Sequence, residues 1–405
     1  MLIRSMTLKN ILSFRDATLE LRNLNVLIGP NASGKSNFLE VIDLLHSAPK
    51  DLTAPLSRGG GVREWCWKGQ EERPQGFKDS SGVECLLQPP ATHTRSPMSI
   101  RYVLRFAERN QGVAVVQELM ENERPHGGED KPFFYFSMQQ GAGKVSAVSL
   151  EDSAGGTRRK RDLQRGEVKD SQSVLSALRD KVAYPEITYY AKVFGEIRLY
   201  REWNMGRRGA PRLPQQTDLS NDFLNENADN LVLVLNRMDT DGHIGRVEEH
   251  LSRFCDRFRR PKFKIHGGTV QLLLEEQGLA EPVPATRLSD GTLRLLCLLS
   301  VLCHPSPPPL ICIEEPELGL HPDSITIVAE ALVEASERTQ LVVTTHSDAL
   351  VDALSDRPES VVVCEHDQDQ GTSFRRLEKA ALDAWLEEYT LGRLWRKGEI
   401  GGNRW

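Results

Sequence analysis

Apolar and polar positions alternate at Ala17, Leu19 and Leu21, the period of a half-buried strand. The surrounding run, residues 2–29, reads as three short strands with polar breaks. Val26, Leu27 and Ile28 end the third as a buried strand. The period then changes. Phe38, Leu39, Ile42 and Leu45 recur at helical spacing, which predicts a helix over 36–46. Residues 48–78 are rich in Gly, Pro and charge and read as a surface excursion carrying Trp65 and Trp67. The stretches MSIRYVLRFA, GVAVVQELM, FFYFSMQQ and VSAVSLE, separated by polar turns, predict an antiparallel sheet. A polar, basic break, SAGGTRRKRDLQRGEVKDSQ, precedes a helix near 172–181. NDFLNENADNLVLVLNRM and HIGRVEEHLSRFCDRF have the pattern of amphipathic helices, and KFKIHGGTVQLLLEE that of a hairpin turning at Gly267 and Gly268. No internal repeat is visible, and no apolar heptad persists long enough for an extended coiled coil.

Composition adjusts this picture in few places. The chain has 405 residues, more than one compact domain usually needs. Its hydrophobic fraction of 39% and charged fraction of 27% suit a soluble globular protein. A net charge of -6 argues against a wholly basic nucleic-acid binder and leaves local basic patches open. The seven cysteines are scattered; Cys297, Cys303 and Cys312 sit in apolar runs as small hydrophobes. No C-x-x-C pair occurs, which argues against a zinc hook or ribbon. The reading is a cytoplasmic protein without a membrane segment.

The candidate chemistry begins where the third strand breaks. Gly29, Pro30, Asn31, Ala32, Ser33, Gly34, Lys35 and Ser36 match the phosphate-loop spacing G-x-x-x-x-G-K-S. Glycines let the backbone curl its N–H groups inward, and the following helix turns its positive end to the same place. In that pattern Lys35 reaches the β- and γ-phosphates and Ser36 ligates Mg²⁺. The alternative is a plain strand–turn–helix link.

Further motifs follow Pro284. RLSDGTLRLLCLLSVL places Ser289 and Gly291 at the mouth of an apolar helix, either as a cap or as groups facing a γ-phosphate held by another subunit. The apolar strand 310–313 ends in Glu314, Glu315, Pro316 and Glu317. Adjacent carboxylates at a buried strand's end are costly unless a cation or water uses them. Glu314 would hold Mg²⁺ through water and Glu315 would deprotonate the attacking water, against the alternative of a solvated acidic turn. The strand 341–343 ends in Thr344, Thr345 and His346, a packed histidine or a γ-phosphate sensor.

Taken together, IGPNASGKSN, LSDGT, IEEPELGLHP and TTHS resemble the ABC-type ATPase heads, and within them the RecF/SMC-like branch, including the ATPase part of overcoming-lysogenisation-defect proteins. The resemblance implies an α/β P-loop head with a mixed central sheet, an N-terminal antiparallel β lobe and a helical insertion. It divides the chain into a discontinuous head (1–50 and 266–371), a β-rich insertion (51–185), a mainly helical insertion (186–265) and a tail (372–405). It implies ATP and Mg²⁺, with Asn31 and Asn37 flanking the nucleotide, Glu315 as hydrolytic base and His346 as switch. Ser289 and Gly291 then act in trans, so that an ATP-gated homodimer or higher oligomer forms. The sequence departs from the pattern at Glu314, where many heads carry Asp, and in its Ser-Asp-Gly-Thr signature. The family's Q-loop glutamine has three candidates, Gln139, Gln140 and Gln172. Relatives couple closure to DNA or to a nuclease or toxin partner; here an effector would be separately encoded, and a transporter subunit is the alternative. RFCDRFRRPKFK and GGTRRKRD are candidate DNA contacts or simply solvated faces. The tail helix suggested by Leu391, Leu394 and Trp395 packs on the core or docks a partner.

Overall fold

The alternating run at the N-terminus becomes strand Phe14–Glu20, with Phe14, Ala17 and Leu19 buried and the residues between them turned outward. It lies antiparallel to Ile3–Ile11, pairing Leu8 with Ala17 and Met6 with Leu19. The computed structural model describes residues 1–69, 80–89, 98–126, 128–148, 158–164 and 166–402. The chain divides into two compact units. One comprises Met1–Arg22, Gly29–Ile197 and Cys364–Arg375; the other comprises Asn23–Ile28, Arg198–Val363 and Arg376–Trp405.

The first unit is built on an antiparallel sheet. Its order is Gly371–Arg376, Phe14–Glu20, Ile3–Ile11, Ser81–Leu87, Ile100–Arg109, Gly112–Asn122, Phe134–Gln139, Ala142–Val148 and Arg158–Asp162. The anticipated antiparallel strands are therefore present, the fourth through Val148; its residues 149–151 lie outside the described residues. Three strands join them that periodicity did not signal: Ser81–Leu87, Gly371–Arg376 and Arg158–Asp162. The last falls in the basic stretch read as a break; residues 153–157 and 165 of that stretch lie outside the described residues. Its arginines are absorbed by neighbours: Arg158 pairs with Glu186, and Arg161 with Glu167 and the Tyr184 hydroxyl. Trp65 and Trp67 are 1% and 5% exposed, so the tryptophans of the supposed surface excursion are core residues. The helix expected near 172–181 shrinks to one turn, Val174–Ala177, and the longer helix is Pro185–Gly195, with proline at its first turn. The helix after the glycine loop runs Lys35–Ser47 and buries Phe38, Leu39, Ile42 and Leu45 as its spacing requires.

The second unit holds a parallel sheet in the order Arg198–Tyr200, Leu310–Glu314, Gln340–Thr344, Leu24–Ile28 and then residues 361–363 of Val361–Asp367. The middle strands are buried on both faces, which is why they read as unbroken apolar runs. A smaller sheet pairs Phe258–His266 with Thr269–Glu276 about the Gly267–Gly268 turn, as the hairpin pattern predicts. Helices Leu231–Thr240 and Gly245–Phe254 pack beside it in one apolar core with Asp290–Leu302. The Asn-rich lead-in to the first of these helices is not helical. Asn230 donates to the carbonyls of Ser220 and Phe223, and Asn225 donates to Asp229, so the amides spend themselves on turns. The tail helix Leu391–Arg396 buries Leu391, Leu394 and Trp395. No helix among the described residues is long and apolar enough to cross a membrane.

Candidate nucleotide site

In the first unit, the loop that directly follows Ile28 is a tight curl. Gly29, Ala32 and Gly34 have φ of 152°, 62° and 98°, a conformation side chains resist. Two of these positions are also sterically closed. A Cβ on Gly29 would lie 2.3 Å from the Cys364 carbonyl, and one on Gly34 would lie 2.4 Å from Thr372 Oγ1. Lys35, 6% exposed, folds its ammonium into the curl and donates to the carbonyls of Gly29 at 2.8 Å and Pro30 at 2.9 Å. It thereby holds a positive charge at the mouth of its own helix. That helix has no side-chain cap, and its dipole puts its positive end at the loop. Ser36 is exposed at the same end, with Asn37 half-buried beside it and Asn31 on the loop's outer side.

A polar buttress stands behind the curl. Thr372 Oγ1 lies 3.0 Å from the Ser33 carbonyl and 2.9 Å from Ser13 Oγ, and the Thr372 backbone N–H donates to the Ser13 carbonyl at 2.8 Å. One hydroxyl has a single proton, so Thr372 shares its one donor between the Ser33 carbonyl and Ser13 Oγ. Neither Ser13 nor Thr372 carries a sequence signal, because their partners are distant along the chain.

In the second unit, three strands end in register: Glu314 faces Thr344 and Thr344 faces Leu27. This places the acidic motif and the Thr-Thr-His motif at one carboxyl edge, where open α/β sheets collect ligands. Glu315 adopts φ 46°, a left-handed turn that breaks strand alternation, and its N–H donates to the Thr344 carbonyl at 2.9 Å. The Glu315 carboxylate lies 3.8 Å from His346 Nε2, so base and switch candidates meet. Glu317 accepts from Thr345 Oγ1 at 2.7 Å and from the His346 backbone N–H at 2.9 Å. As the third carboxylate of Glu-Glu-Pro-Glu it was visible in the sequence, but the spacing gave it no role.

The Leu-Ser-Asp-Gly turn caps helix Asp290–Leu302. Ser289 Oγ accepts from the Thr292 N–H at 3.0 Å, the capping alternative, while the serine remains exposed. Arg212, 6% exposed, fixes this turn by donating to the carbonyls of Ala285 and Leu288 and pairing with Asp290. Gly291 sits where a Cβ would lie 2.9 Å from the Gly319 carbonyl, so the signature turn packs on the turn after the acidic strand. Arg294, one helical turn on, lies over the Trp203 ring, and burial lowers its pKa. The Q-loop candidates Gln139 and Gln140 lie at a hairpin turn of the first unit and Gln172 in a loop.

Comparison with known proteins places these features. Residues 158–352 match the family model described as "AAA domain, putative AbiEii toxin, Type IV TA system", and residues 1–72 match an AAA ATPase domain model. The DNA replication and repair protein RecF of Lactococcus lactis subsp. cremoris (strain SK11) is 33% identical over 89 residues, a stretch that is 22% of this chain and 23% of that protein. The fold is that of an Smc head. A head bound to the C-terminal winged-helix domain of ScpA superposes with a TM-score of 0.55 at 13% identity, covering 93% of this chain and 99% of that one. A Pyrococcus furiosus Smc head bound to the C-terminal domain of ScpA gives 0.56 at 12% identity, covering 95% and 98%.

Proposed function

We propose that the chain is a RecF/SMC-like AAA ATPase, a reading supported by the two AAA matches and the RecF stretch, and that it binds and hydrolyses ATP as a nucleotide-sandwiched homodimer. The observation that carries the reading is the curl at residues 29–36: strained glycines, an inward lysine and an uncapped helix end form a cradle for a triphosphate. Lys35 exchanges its loop carbonyls for β- and γ-phosphate oxygens. The first-turn N–H groups bind and orient the phosphate chain. Glu315 takes a proton from the attacking water, and His346 beside it positions that water and reads the γ-phosphate.

The Ser36 hydroxyl and the Glu314 carboxylate are hard oxygen donors, suited to Mg²⁺. When bound, that ion neutralises charge developing on the phosphate oxygens. Ser289 and Gly291 act on the triphosphate held by a second copy. Arg212 fixes their turn, and the exposed serine is available to a partner. The dimer switches a DNA-associated or phage-defence activity through a separately encoded nuclease or toxin effector.

Phosphate release tests the core of this reading. Wild-type protein with Mg²⁺ and ATP releases phosphate, and Glu315→Gln does not. Release that is equal in the two proteins overturns the assignment of the base. A salt-dependent gel shift with and without ATP tests the DNA branch, and no ATP-dependent shift at low salt removes it.

A further inference from the structure

Glu317 is the one acid of the Glu-Glu-Pro-Glu run that the hydrolytic scheme leaves without work. Its placement is unusual. One carboxylate oxygen gathers the Thr345 hydroxyl and the His346 backbone N–H. Thr345 is fully buried, and its hydroxyl oxygen in turn accepts the Ser347 N–H at 2.9 Å. The Thr345 N–H donates to the Leu27 carbonyl at 3.1 Å. The turn that carries Glu317 starts at left-handed Glu315 and is closed by the Leu318 N–H on the Glu315 carbonyl. Glu317 therefore ties the segment bearing the switch histidine to the segment bearing the base, and His346 lies 3.8 Å from Glu315 across that tie.

The Glu317 charge also acts on the half-buried Arg294 guanidinium, but the two hydrogen bonds do not depend on it. A neutral acceptor would satisfy both donors. The second oxygen of Glu317 is buried with no hydrogen-bond partner among the described residues, a cost of about 1–3 kcal/mol. Groups that keep such a cost concentrate where geometry matters to chemistry.

We propose that Glu317 is a positioning residue that sets the His346 backbone, and through it the imidazole, against Glu315 for hydrolysis. The proposal rests on the ATPase reading above. It predicts a loss confined to turnover. Glu317→Ala lowers kcat at least tenfold and leaves nucleotide affinity within about threefold, because the curl at 29–36 supplies the binding contacts. Glu317→Gln keeps an oxygen for both donors and recovers most of the turnover.

The experiment is a double-mutant cycle with phosphate release and a fluorescent ATP analogue, together with hydrogen exchange of the His346 amide. If Glu317 acts through the histidine, E317A/H346A is no slower than H346A alone. The His346 amide of E317A exchanges at least tenfold faster than that of wild type, whether or not nucleotide is present. Multiplicative losses in the double variant overturn the proposal, as does unchanged turnover of E317A. A parallel loss of kcat and nucleotide affinity in both E317A and E317Q overturns it as well. A wild-type chain inert toward ATP overturns the hydrolytic reading and this role with it, whereas an active wild type beside an equally active E317A overturns this role alone.

Discussion

Thr372 offers a sharp test of how the phosphate loop is held. Thr372→Val keeps the shape of a residue that is 2% exposed and keeps its backbone hydrogen bond to Ser13. It removes only the hydroxyl. The Ser33 carbonyl and Ser13 Oγ then lose the one donor they share, at 3.0 Å and 2.9 Å. A buried acceptor left unpaired costs about 1–3 kcal/mol. The expected loss of stability is therefore about 1–3 kcal/mol, read in urea unfolding. The loop itself carries part of it. If about 1.4 kcal/mol appears as loop disorder that nucleotide must repair, affinity falls about tenfold. Titration with a fluorescent ATP analogue measures that fall, and Thr372→Ser, which retains the hydroxyl, restores most of it. Thr372→Val with affinity and unfolding midpoint both within twofold of wild type would refute the buttress.

Lys35→Ala removes the ammonium that lines the curl and is expected to lose nucleotide binding by at least 100-fold, since charge-assisted bonds to phosphate contribute about 1.5–3 kcal/mol each; tight binding in that variant would mean the loop is not a phosphate cradle. Glu118 is fully buried and accepts from Tyr102, Ser173 and the Val174 N–H, and burial pushes its carboxyl up from 4.5 to about 7. The folded chain thus holds a proton that the unfolded chain releases, so stability falls as pH rises from about 4.5 to about 7. Unfolding curves of Glu118→Gln should lose that slope, and an unchanged slope would reassign it.

Much of the local geometry was legible because its parts are close in sequence. The curl at 29–36, the Leu-Ser-Asp-Gly cap and the strand ending in Glu314 and Glu315 each announce themselves within a dozen residues. Buried parallel strands read as apolar runs for the same reason that they are buried on two faces. What stayed hidden depends on distant partners. Thr372 and Ser13 meet behind the loop from far apart in the chain, and Arg212 reaches a turn 78 residues away. The strand Arg158–Asp162 looks like solvated charge because it lies at a sheet edge and its arginines find acids only after folding. Trp65 and Trp67 sit among Gly and charge, so composition pointed outward while packing drew them in. Asn230 shows the opposite failure: an apparent helical period was overruled by an amide that accepts from the Asn225 N–H and donates to the Phe223 carbonyl.

The central claim is that two copies of the chain share each triphosphate, and its most direct measurement is sedimentation of Glu315→Gln, in which bound ATP is not consumed. Addition of ATP and Mg²⁺ should convert monomer to dimer, and Ser289→Arg, placed at the exposed signature serine, should block the conversion while leaving nucleotide binding intact. A species that remains monomeric at saturating ATP contradicts the shared site.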